Sequence, residues 1–186
     1  MLNTKYVIGQ GEDGQIVPYQ NPDANGNAWF VDEIMPSNSA DETMRQLDSI
    51  NTKRQAIVEN NDRELFSSYR DLPNNFELDS ITQISVTSYQ PNYIKYQSSN
   101  NNTGFAVFSE IFYKHGWRAY IDGISVEHIP VNYVLRGLTV PAGEHTIEFK
   151  FEPQVVKTGS TISLSSSIIL ILLISGGLFW EFKKAT

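Results

Sequence analysis

Residues Trp117–Phe151 read WRAYIDGISVEHIPVNYVLRGLTVPAGEHTIEFKF, and this stretch decides the fold. Two segments rich in aromatic and β-branched residues, Trp117–Ile121 and Ser125–Ile129, flank the dipeptide Asp122-Gly123. Glycine accepts a positive φ without steric cost, and an Asp-Gly pair between two such segments is a strong signal for a tight β-hairpin. The stretch is therefore predicted to begin with two antiparallel strands.

The second half of the stretch repeats this pattern. Tyr133–Val140 and His145–Phe151 flank Pro141–Glu144, whose turn residues predict a second hairpin. In the last segment the apolar residues Ile147 and Phe149 alternate with polar neighbours. Alternation with a period of two is typical of an antiparallel strand that is buried on one face and solvated on the other.

Strand signals continue on the N-terminal side of this stretch. Residues 76–97 contain alternating polar and apolar side chains, and Gly104–Tyr113 (GFAVFSEIFY) is a mainly apolar segment. Shorter strands are expected near residues 6–8, 28–31 and 55–58. Several short strands separated by turn residues indicate an antiparallel β-sandwich or jelly-roll-like domain, so the predicted fold class is mainly β.

One short helix is predicted between the strands. Ser39 is a favourable N-cap residue, and Glu42 follows it three positions later, which is the pattern of a capping box. Asn51 is expected to end this helix, and residues 60–62, which read Asn-Asn-Asp, are expected to form a loop.

An uncharged segment lies near the C-terminus. Thr161–Trp180 reads TISLSSSIILILLISGGLFW, 20 residues without a charge, and a helix of this length spans about 30 Å, the thickness of the bilayer hydrocarbon. The serines at its start can bond back to helix carbonyls. A buried strand or core helix of a soluble domain is the alternative, but the segment is too long for a strand. We therefore predict a single C-terminal transmembrane helix that contacts membrane lipid through residues 161–180.

The lysines at the end of this segment predict its orientation. Lys183 and Lys184 follow the apolar segment, and such residues stay on the cytoplasmic side. We expect an extracytoplasmic β-sandwich domain over residues 1–158, a transmembrane helix over residues 159–182 and a cytoplasmic tail over residues 183–186.

The N-terminal residues leave two hypotheses about how such a domain is exported. The sequence MLNTKYVIGQGEDG has no apolar core of signal-peptide length. Either the domain is cytoplasmic and tail-anchored, or an export signal and further membrane helices lie upstream of Met1. We favour the second hypothesis.

The composition argues against several classes of function. The net charge is −7 and there is no Lys/Arg cluster, so nucleic-acid binding is not expected. The chain has no cysteine, which excludes disulfides and thiolate sites. The spacing of His115, His128 and His145 predicts no metal site and no cofactor. Glu110 and Asp122 are candidates for an acid–base pair, but the hairpin already explains Asp122, so no catalytic residue is assigned.

A longer motif runs through Ser109–Pro153. Its segments are SE (109–110), GW (116–117), AYIDG (119–123), NY (132–133), LRG (135–137), VPAG (140–143), His145, IEF (147–149) and FEP (151–153). Joined in this order and followed by a predicted transmembrane helix, they resemble the C-terminal signature of the YfhO family of bacterial membrane proteins. The chain departs from the family pattern at His115, where the family usually has proline. Residues 2–8, 21–22 and 28–31 also resemble the entry to this domain.

The resemblance implies a function. The family is similar to GT-C type glycosyltransferases, which transfer a sugar from a polyprenyl-phosphate donor to an envelope polymer. The catalytic acidic residue of that fold lies on an early extracytoplasmic loop, which this chain does not contain. The resemblance thus implies a non-catalytic module at the bacterial cytoplasmic (inner) membrane that assists glycosylation and contacts the upstream membrane portion of its parent protein. The alternative hypothesis is an envelope binding or scaffold domain, for a carbohydrate or protein partner, without an enzymatic role.

Five residues are candidates for contact with an envelope glycan: Trp117, Tyr113, Tyr120, Trp29 and Arg136. The aromatic side chains offer an apolar face for a sugar ring together with a polar group. Trp117 and Tyr113 lie at a predicted strand-to-turn junction, where side chains often reach solvent. Arg136 is a candidate partner for a carboxylate or a lipid phosphate. Core packing is the alternative for the rings, and an ordinary ion pair is the alternative for Arg136.

Overall fold

The computed structural model describes residues 1–11 and 13–185, which form two compact units, Met1–Phe151 and Glu152–Thr186. The described strands are β1 (Tyr6–Gln10), β2 (Ile16–Gln20), β3 (Ala28–Val31), β4 (Glu33–Ser37), β5 (Gln55–Glu59), β6 (Gln83–Gln90), β7 (Tyr93–Asn100), β8 (Gly104–Ile111), β9 (Trp117–Ile121), β10 (Ile124–Val126), β11 (Ile129–Val131), β12 (Leu135–Val140) and β13 (Gly143–Phe151). The described helices are α1 (Ala40–Leu47), α2 (Asn60–Leu65) and α3 (Gln154–Ala185), and Ser67–Tyr69 forms a 3₁₀ turn. Thr186, the end of the predicted cytoplasmic tail, lies outside the described residues.

The first unit is built around two antiparallel sheets. One has the strand order β10-β9-β13-β7-β6 and the other the order β11-β12-β8-β3. Buried side chains from both sheets form one shared core, which contains Phe30, Ile94, Tyr96, Ala106, Phe108, Ala119, Ile121, Leu138, Val140, Ile147 and Phe149. Burial of this apolar surface holds the two sheets face to face. The prediction of a mainly β, antiparallel sandwich is confirmed.

A second core covers the other face of the four-stranded sheet. Val107 on β8 belongs to this core together with Ile34 on β4 and Val58 on β5. Strands β4 and β5 pair in parallel, which the sequence did not predict. Asn132 ties this layer to the sandwich, because its side-chain oxygen accepts a hydrogen bond of 2.8 Å from the backbone N–H of Ile57. The asparagine of the NY motif, Asn132, therefore has a structural role.

The first predicted hairpin is confirmed. Strands β9 and β10 pair around Asp122 and Gly123, and both turn residues have positive φ, 50° and 82°. This geometry matches the right-handed twist of the flanking strands. The segment Ser125–Ile129, however, is not one strand, because β10 ends at Val126 and β11 begins at Ile129 in the other sheet. Glu127 and His128 therefore lie where the chain passes from one sheet to the other.

The second predicted hairpin is wrong. Strand β12 pairs with β8 and β11, whereas β13 pairs with β7 and β9. Residues 141–142 carry the chain from one sheet to the opposite one. Proline and glycine turn residues specify a change of direction but do not specify the strands that β13 joins. Ile147 and Phe149 of β13 enter the shared core from the five-stranded sheet, opposite Leu138 and Val140 of β12.

The helix predicted after Ser39 is confirmed, with different contacts at its ends. The Ser39 hydroxyl accepts a hydrogen bond of 3.2 Å from the Glu42 N–H. The Glu42 carboxylate accepts a hydrogen bond of 2.9 Å from the N–H of Asn38. A capping box would have used the N–H of Ser39 instead. The helix ends at Leu47, earlier than the expected end at Asn51.

The prediction of a loop at residues 60–62 is wrong, because these residues form the first turn of α2. Asparagine and aspartate favour both turns and helix N-termini, so their presence did not distinguish the two structures.

The second unit is the helix α3 with the residues that flank it. Helix α3 begins at Gln154, and Gln154–Leu178 is long and apolar enough to cross a membrane. The hydroxyls of Ser165, Ser166 and Ser167 donate hydrogen bonds of 2.8–2.9 Å to carbonyls four residues earlier. The serines are therefore satisfied inside the helix, which makes them compatible with lipid.

Candidate functional site

Arg136 is the most deeply buried charged residue among those that the structure describes, with 1% of its surface exposed. Its guanidinium lies 4.3 Å from the centroid of the Trp117 ring and 5.0 Å from that of Phe149. Its Nε donates a 3.0 Å hydrogen bond to the carbonyl of Ile111. Burial lowers the pKa of Arg136 to about 10, although the nearby charge of Glu110 acts in the opposite direction. Arg136 therefore stays charged at neutral pH and supports the indole from within the sandwich.

Three aromatic rings, Tyr113, Trp117 and Phe151, form what we call the aromatic cluster. The Trp117 ring meets Phe151 edge-on with centroids 5.4 Å apart, and Tyr113 stacks on Phe151 at 6.4 Å. A Cβ atom at Gly116 would lie 2.2 Å from the Phe151 ring and 2.6 Å from that of Tyr113. Glycine in the Gly-Trp motif therefore allows these rings to close around the turn. Tyr113 is 51% exposed, so the cluster reaches solvent.

A cleft of about 160 Å³ opens beside this cluster. Its apolar walls come from Phe66, Phe112 and Trp117, and its polar groups include Lys114, Glu127 and His128. We refer to it as the Trp117 cleft. Aromatic walls with a few polar groups are the usual lining of a small-molecule site.

His128 is a buried residue in the lining of the Trp117 cleft. Its ring packs between Phe112 and Phe149, with centroid distances of 5.1 and 5.5 Å, and only 7% of the residue is exposed. Within the part of the chain that the structure describes, its Nε2 has no hydrogen-bond partner. Burial, with a further contribution from the charge of Arg136, lowers the pKa of His128 to about 4. The imidazole is therefore neutral at physiological pH.

The lining of the Trp117 cleft carries charges of both signs, from Lys114, Arg118 and Glu127. Lys114 Nζ lies 5.1 Å from the Phe66 centroid. Burial and the charge of Glu59 raise the pKa of Asp62, although the charge of Lys114 acts in the opposite direction. Hydrogen bonds from Ser68 are the largest cause of the lowered pKa of Glu127. The Ser68 hydroxyl donates a hydrogen bond of 2.6 Å to the Glu127 carboxylate, and the Ser68 N–H donates one of 3.0 Å.

The candidates Tyr120 and Trp29 lie away from the aromatic cluster. Tyr120 is on the outer face of the five-stranded sheet, where Lys150 Nζ lies 4.7 Å from its ring centroid. Trp29 is 9% exposed and packs in the second core. An indole buried to this extent offers no face for stacking on a sugar, so we leave Trp29 out of the candidate surface. The structure brings together Tyr113, Trp117 and Arg136, with Arg136 beneath the surface.

The carboxylates weighed as an acid–base pair both have structural contacts. Asp122 lies 2.6 Å from His145 Nδ1 and accepts 2.9 Å from the Thr146 N–H. Glu110 accepts a 2.8 Å hydrogen bond from the Tyr89 hydroxyl. In residues 1–11 and 13–185, no three His, Asp or Glu side chains are grouped so that they could hold a metal ion.

Sequence reasoning missed His128 as a member of the site. The residue has no charged or glycine-rich motif beside it, and its burial results from Phe112 and Phe149, which lie far from it in sequence. If Ser125–Ile129 had been assigned as two strands in different sheets, the crossing at residues 127–128 would have indicated that His128 lies between the sheets.

A β-sandwich unit and a long apolar helix define a membrane-associated protein with a globular module. A family model described as "Bacterial membrane protein YfhO" matches residues 68–163. Because this match covers more than half of the 186 residues, the chain belongs to the YfhO family of bacterial membrane proteins. Comparisons with curated proteins and with solved structures gave no match. The matched segment contains the aromatic cluster and most of the Trp117 cleft.

Proposed function

We propose that residues 1–151 form an extracytoplasmic module that holds an envelope glycan while the parent membrane protein adds sugars from a polyprenyl-phosphate donor. The module has no catalytic role of its own in this proposal. The observation that carries the proposal is the aromatic cluster, whose solvent-accessible rings lie within the segment matched by the family.

The geometry of the cluster supports glycan contact. Sugar rings present C–H groups on one face and hydroxyls at their edges, so they suit a fixed aromatic face with polar groups beside it. Trp117 is held by Arg136 and Phe151, so its indole is positioned before any ligand arrives. Tyr113 extends the same surface into solvent. Preorganised rings lose little conformational entropy on binding.

The charge distribution supports the proposed side of the membrane. Lys183 and Lys184 lie in the last turn of α3, and the cytoplasmic ends of membrane helices are enriched in such residues. The sandwich precedes α3 in the chain, so a single crossing would place the sandwich outside the cytoplasm.

A second candidate function is docking of a protein partner without a role in glycosylation. The hairpin of β1 and β2 exposes large apolar side chains, among them Ile8 at 75% and Ile16 at 78%. Exposed apolar surface of this kind favours a protein or membrane contact. This hypothesis predicts that changes in the hairpin, and not in the aromatic cluster, abolish function.

The two candidate functions are separated by sugar analysis of envelope polymers. Cells carry the full-length parent protein as their only copy, with Tyr113→Ala or with Tyr19→Ala. The two tyrosines are matched, since they are 51% and 49% exposed, and Tyr19 belongs to the hairpin. The proposal predicts a sugar content several-fold lower with Tyr113→Ala and unchanged with Tyr19→Ala. Unchanged sugar content with Tyr113→Ala, at equal protein level, would contradict it.

A further inference from the structure

A second cleft adjoins the Trp117 cleft. It has a volume of about 480 Å³, and its lining includes Ser67, Ser68, Asp71, Pro73, Glu127 and Thr139. We call it the Asp71 groove. Ser125, Val126 and Glu127 line both clefts, so the two meet where β10 ends. A ligand long enough to pass Glu127 therefore contacts both of them.

Hydrogen bonds between segments that are distant in the sequence hold the walls of the Asp71 groove together. The hydroxyl and the N–H of Ser68 both donate to the Glu127 carboxylate, and the Tyr69 hydroxyl donates a hydrogen bond of 2.6 Å to the Glu127 carbonyl. Among the described residues, the hydrogen bonds to this carboxylate all go to Oε2. The groove is therefore formed before a ligand arrives, and Oε1 of the exposed Glu127 remains as an acceptor where the clefts meet.

The polar groups of the Asp71 groove are carboxylates and hydroxyls. Asp71 is exposed, as is Glu127, and Ser125 and Thr139 add hydroxyls that both donate and accept hydrogen bonds. The described lining of this groove contains no lysine or arginine, and Arg70, which precedes Asp71 in the chain, is not part of it. A carboxylate makes strong hydrogen bonds with hydroxyl donors. The groove therefore suits a ligand with many hydroxyls.

The charges of the two clefts together disfavour a charged polymer. Lys114 and Arg118 line the Trp117 cleft, whereas Asp71 lines the groove and Glu127 lines both. A polyanion would meet like charges in the groove, and a polycation would meet them in the cleft. An uncharged chain of sugars avoids both penalties.

The sizes of the clefts indicate more than one sugar. The Trp117 cleft, at about 160 Å³, is smaller than the usual small-molecule sites of about 300–1,000 Å³. The Asp71 groove, at about 480 Å³, lies within that range. Trp117 offers a ring face at one end, and the exposed Pro73 offers apolar surface in the groove. The combined surface suits linked rings better than one ring.

We propose that the Trp117 cleft and the Asp71 groove form one site for a linear, uncharged oligosaccharide. One sugar lies against Trp117 and at least one further sugar lies in the groove. Glu127 Oε1 accepts a hydrogen bond from a sugar hydroxyl where the clefts meet, and the Asp71 carboxylate accepts another in the groove. This inference rests on the proposed function and adds to it the class of glycan and the residues that select for chain length.

Oligosaccharide binding to the full chain in lipid nanodiscs tests the inference. The probes are linear oligomers of glucose, galactose and N-acetylglucosamine, as monomers and tetramers, with tetragalacturonate as the charged counterpart, titrated by ligand-observed NMR. We expect the tetramer of at least one neutral series to bind about tenfold more tightly than its monomer. Asp71→Ala should remove this gain and leave monomer binding unchanged, and Glu127→Gln should weaken the tetramer.

The matched controls are Asp48→Ala and Glu144→Gln, which change exposed carboxylates outside both clefts and should bind as the wild type does. Four results would overturn the inference: no neutral probe binds, tetramers bind no more tightly than monomers, Asp71→Ala keeps the full gain, or tetragalacturonate binds most tightly. If Glu127→Gln does not fold, the result with Asp71→Ala, whose side chain is exposed, decides. The proposed function is judged separately, by the envelope sugar content with Tyr113→Ala.

Discussion

The guanidinium of Arg136 lies 4.3 Å from the centre of the Trp117 ring, although the two residues belong to opposite sheets of the sandwich. A buried cation facing an indole links the stability of the core to the position of a surface ring. The LRG and GW segments of the long motif therefore meet in space, with 18 residues between Trp117 and Arg136 in the sequence. Through this contact, Arg136 inside β12 and Trp117 beside the turn at Gly116 both contribute to the aromatic cluster.

Replacing Arg136 by lysine should destabilise the sandwich by about 2 kcal/mol, because an ammonium cannot stack its charge flat on the indole or keep the same hydrogen bond. Equilibrium denaturation of the full chain checks this value. Arg45→Lys in α1 is the control, since Arg45 is exposed, and it should change the unfolding free energy by less than about 0.5 kcal/mol. Equal stability of Arg136→Lys and the wild type would show that the stacking contributes nothing.

Gly137→Ala should destabilise the sandwich by about 1–3 kcal/mol through overpacking. A Cβ atom at Gly137 would lie 2.4 Å from the Phe105 ring and 2.5 Å from Val131. Thermal unfolding followed by circular dichroism measures the loss. Gly159→Ala is the matched control, because its Cβ would meet nothing within 4 Å. A melting temperature for Gly137→Ala equal to that of the control would mean that the core is looser than the structure indicates.

Acid should destabilise the sandwich through His128. Its pKa is lowered from 6.5 to about 4 in the folded state, so the unfolded chain binds the proton more tightly. Stability is therefore lost as the pH falls below 6.5, and the loss reaches about 3 kcal/mol once the pH is below 4. Unfolding free energies measured between pH 7 and pH 4 should fall less steeply for His128→Phe than for the wild type. Parallel pH profiles would contradict a buried neutral imidazole.

The contact between Asp122 and His145 should contribute most in a defined pH window. Their hydrogen bond lowers the pKa of Asp122 below 3.8 and raises that of His145 above 6.5. The contribution of Asp122 is present above pH 3.8 and is lost as the pH falls through its lowered pKa. That of His145 is present below pH 6.5 and is lost as the pH rises through its raised pKa.

Asp122→Asn tests this window, because asparagine tolerates the positive φ of 50° at this position. The difference in melting temperature between wild type and variant should be greatest between about pH 4 and pH 6.5 and smaller at pH 9. A difference that does not change with pH would mean that the pair acts as an ordinary neutral hydrogen bond.

Much of the fold follows from local sequence signals. The turn at Asp122-Gly123, the Ser39 cap and the alternation in β13 each depend on neighbouring residues, and the structure contains all three. Strand pairing depends on distant residues. The turn after Val140 was therefore recognised, but the transfer of β13 to the opposite sheet was not.

The same distinction applies to the candidate site. Tyr113 and Trp117 were predicted from their position beside a turn, which is a local feature. The burial of Trp29 depends on Phe105 and other distant partners in the second core. The role of His128 depends on a change of sheet that the sequence pattern concealed. Residues whose environment is built from several strands were therefore the ones that sequence reasoning misplaced or missed.

The side of the membrane on which the sandwich lies is the claim on which the proposed function depends most. The chain has no cysteine, so single cysteines can be placed at will in the parent protein after replacement of any cysteines elsewhere. Ser85→Cys is exposed on β6, and Ala185→Cys follows Lys183 and Lys184 without removing either. Intact cells are treated with a membrane-impermeant maleimide. The account predicts that Ser85→Cys is labelled and that Ala185→Cys is labelled only after lysis; labelling of Ala185→Cys alone in intact cells would contradict it.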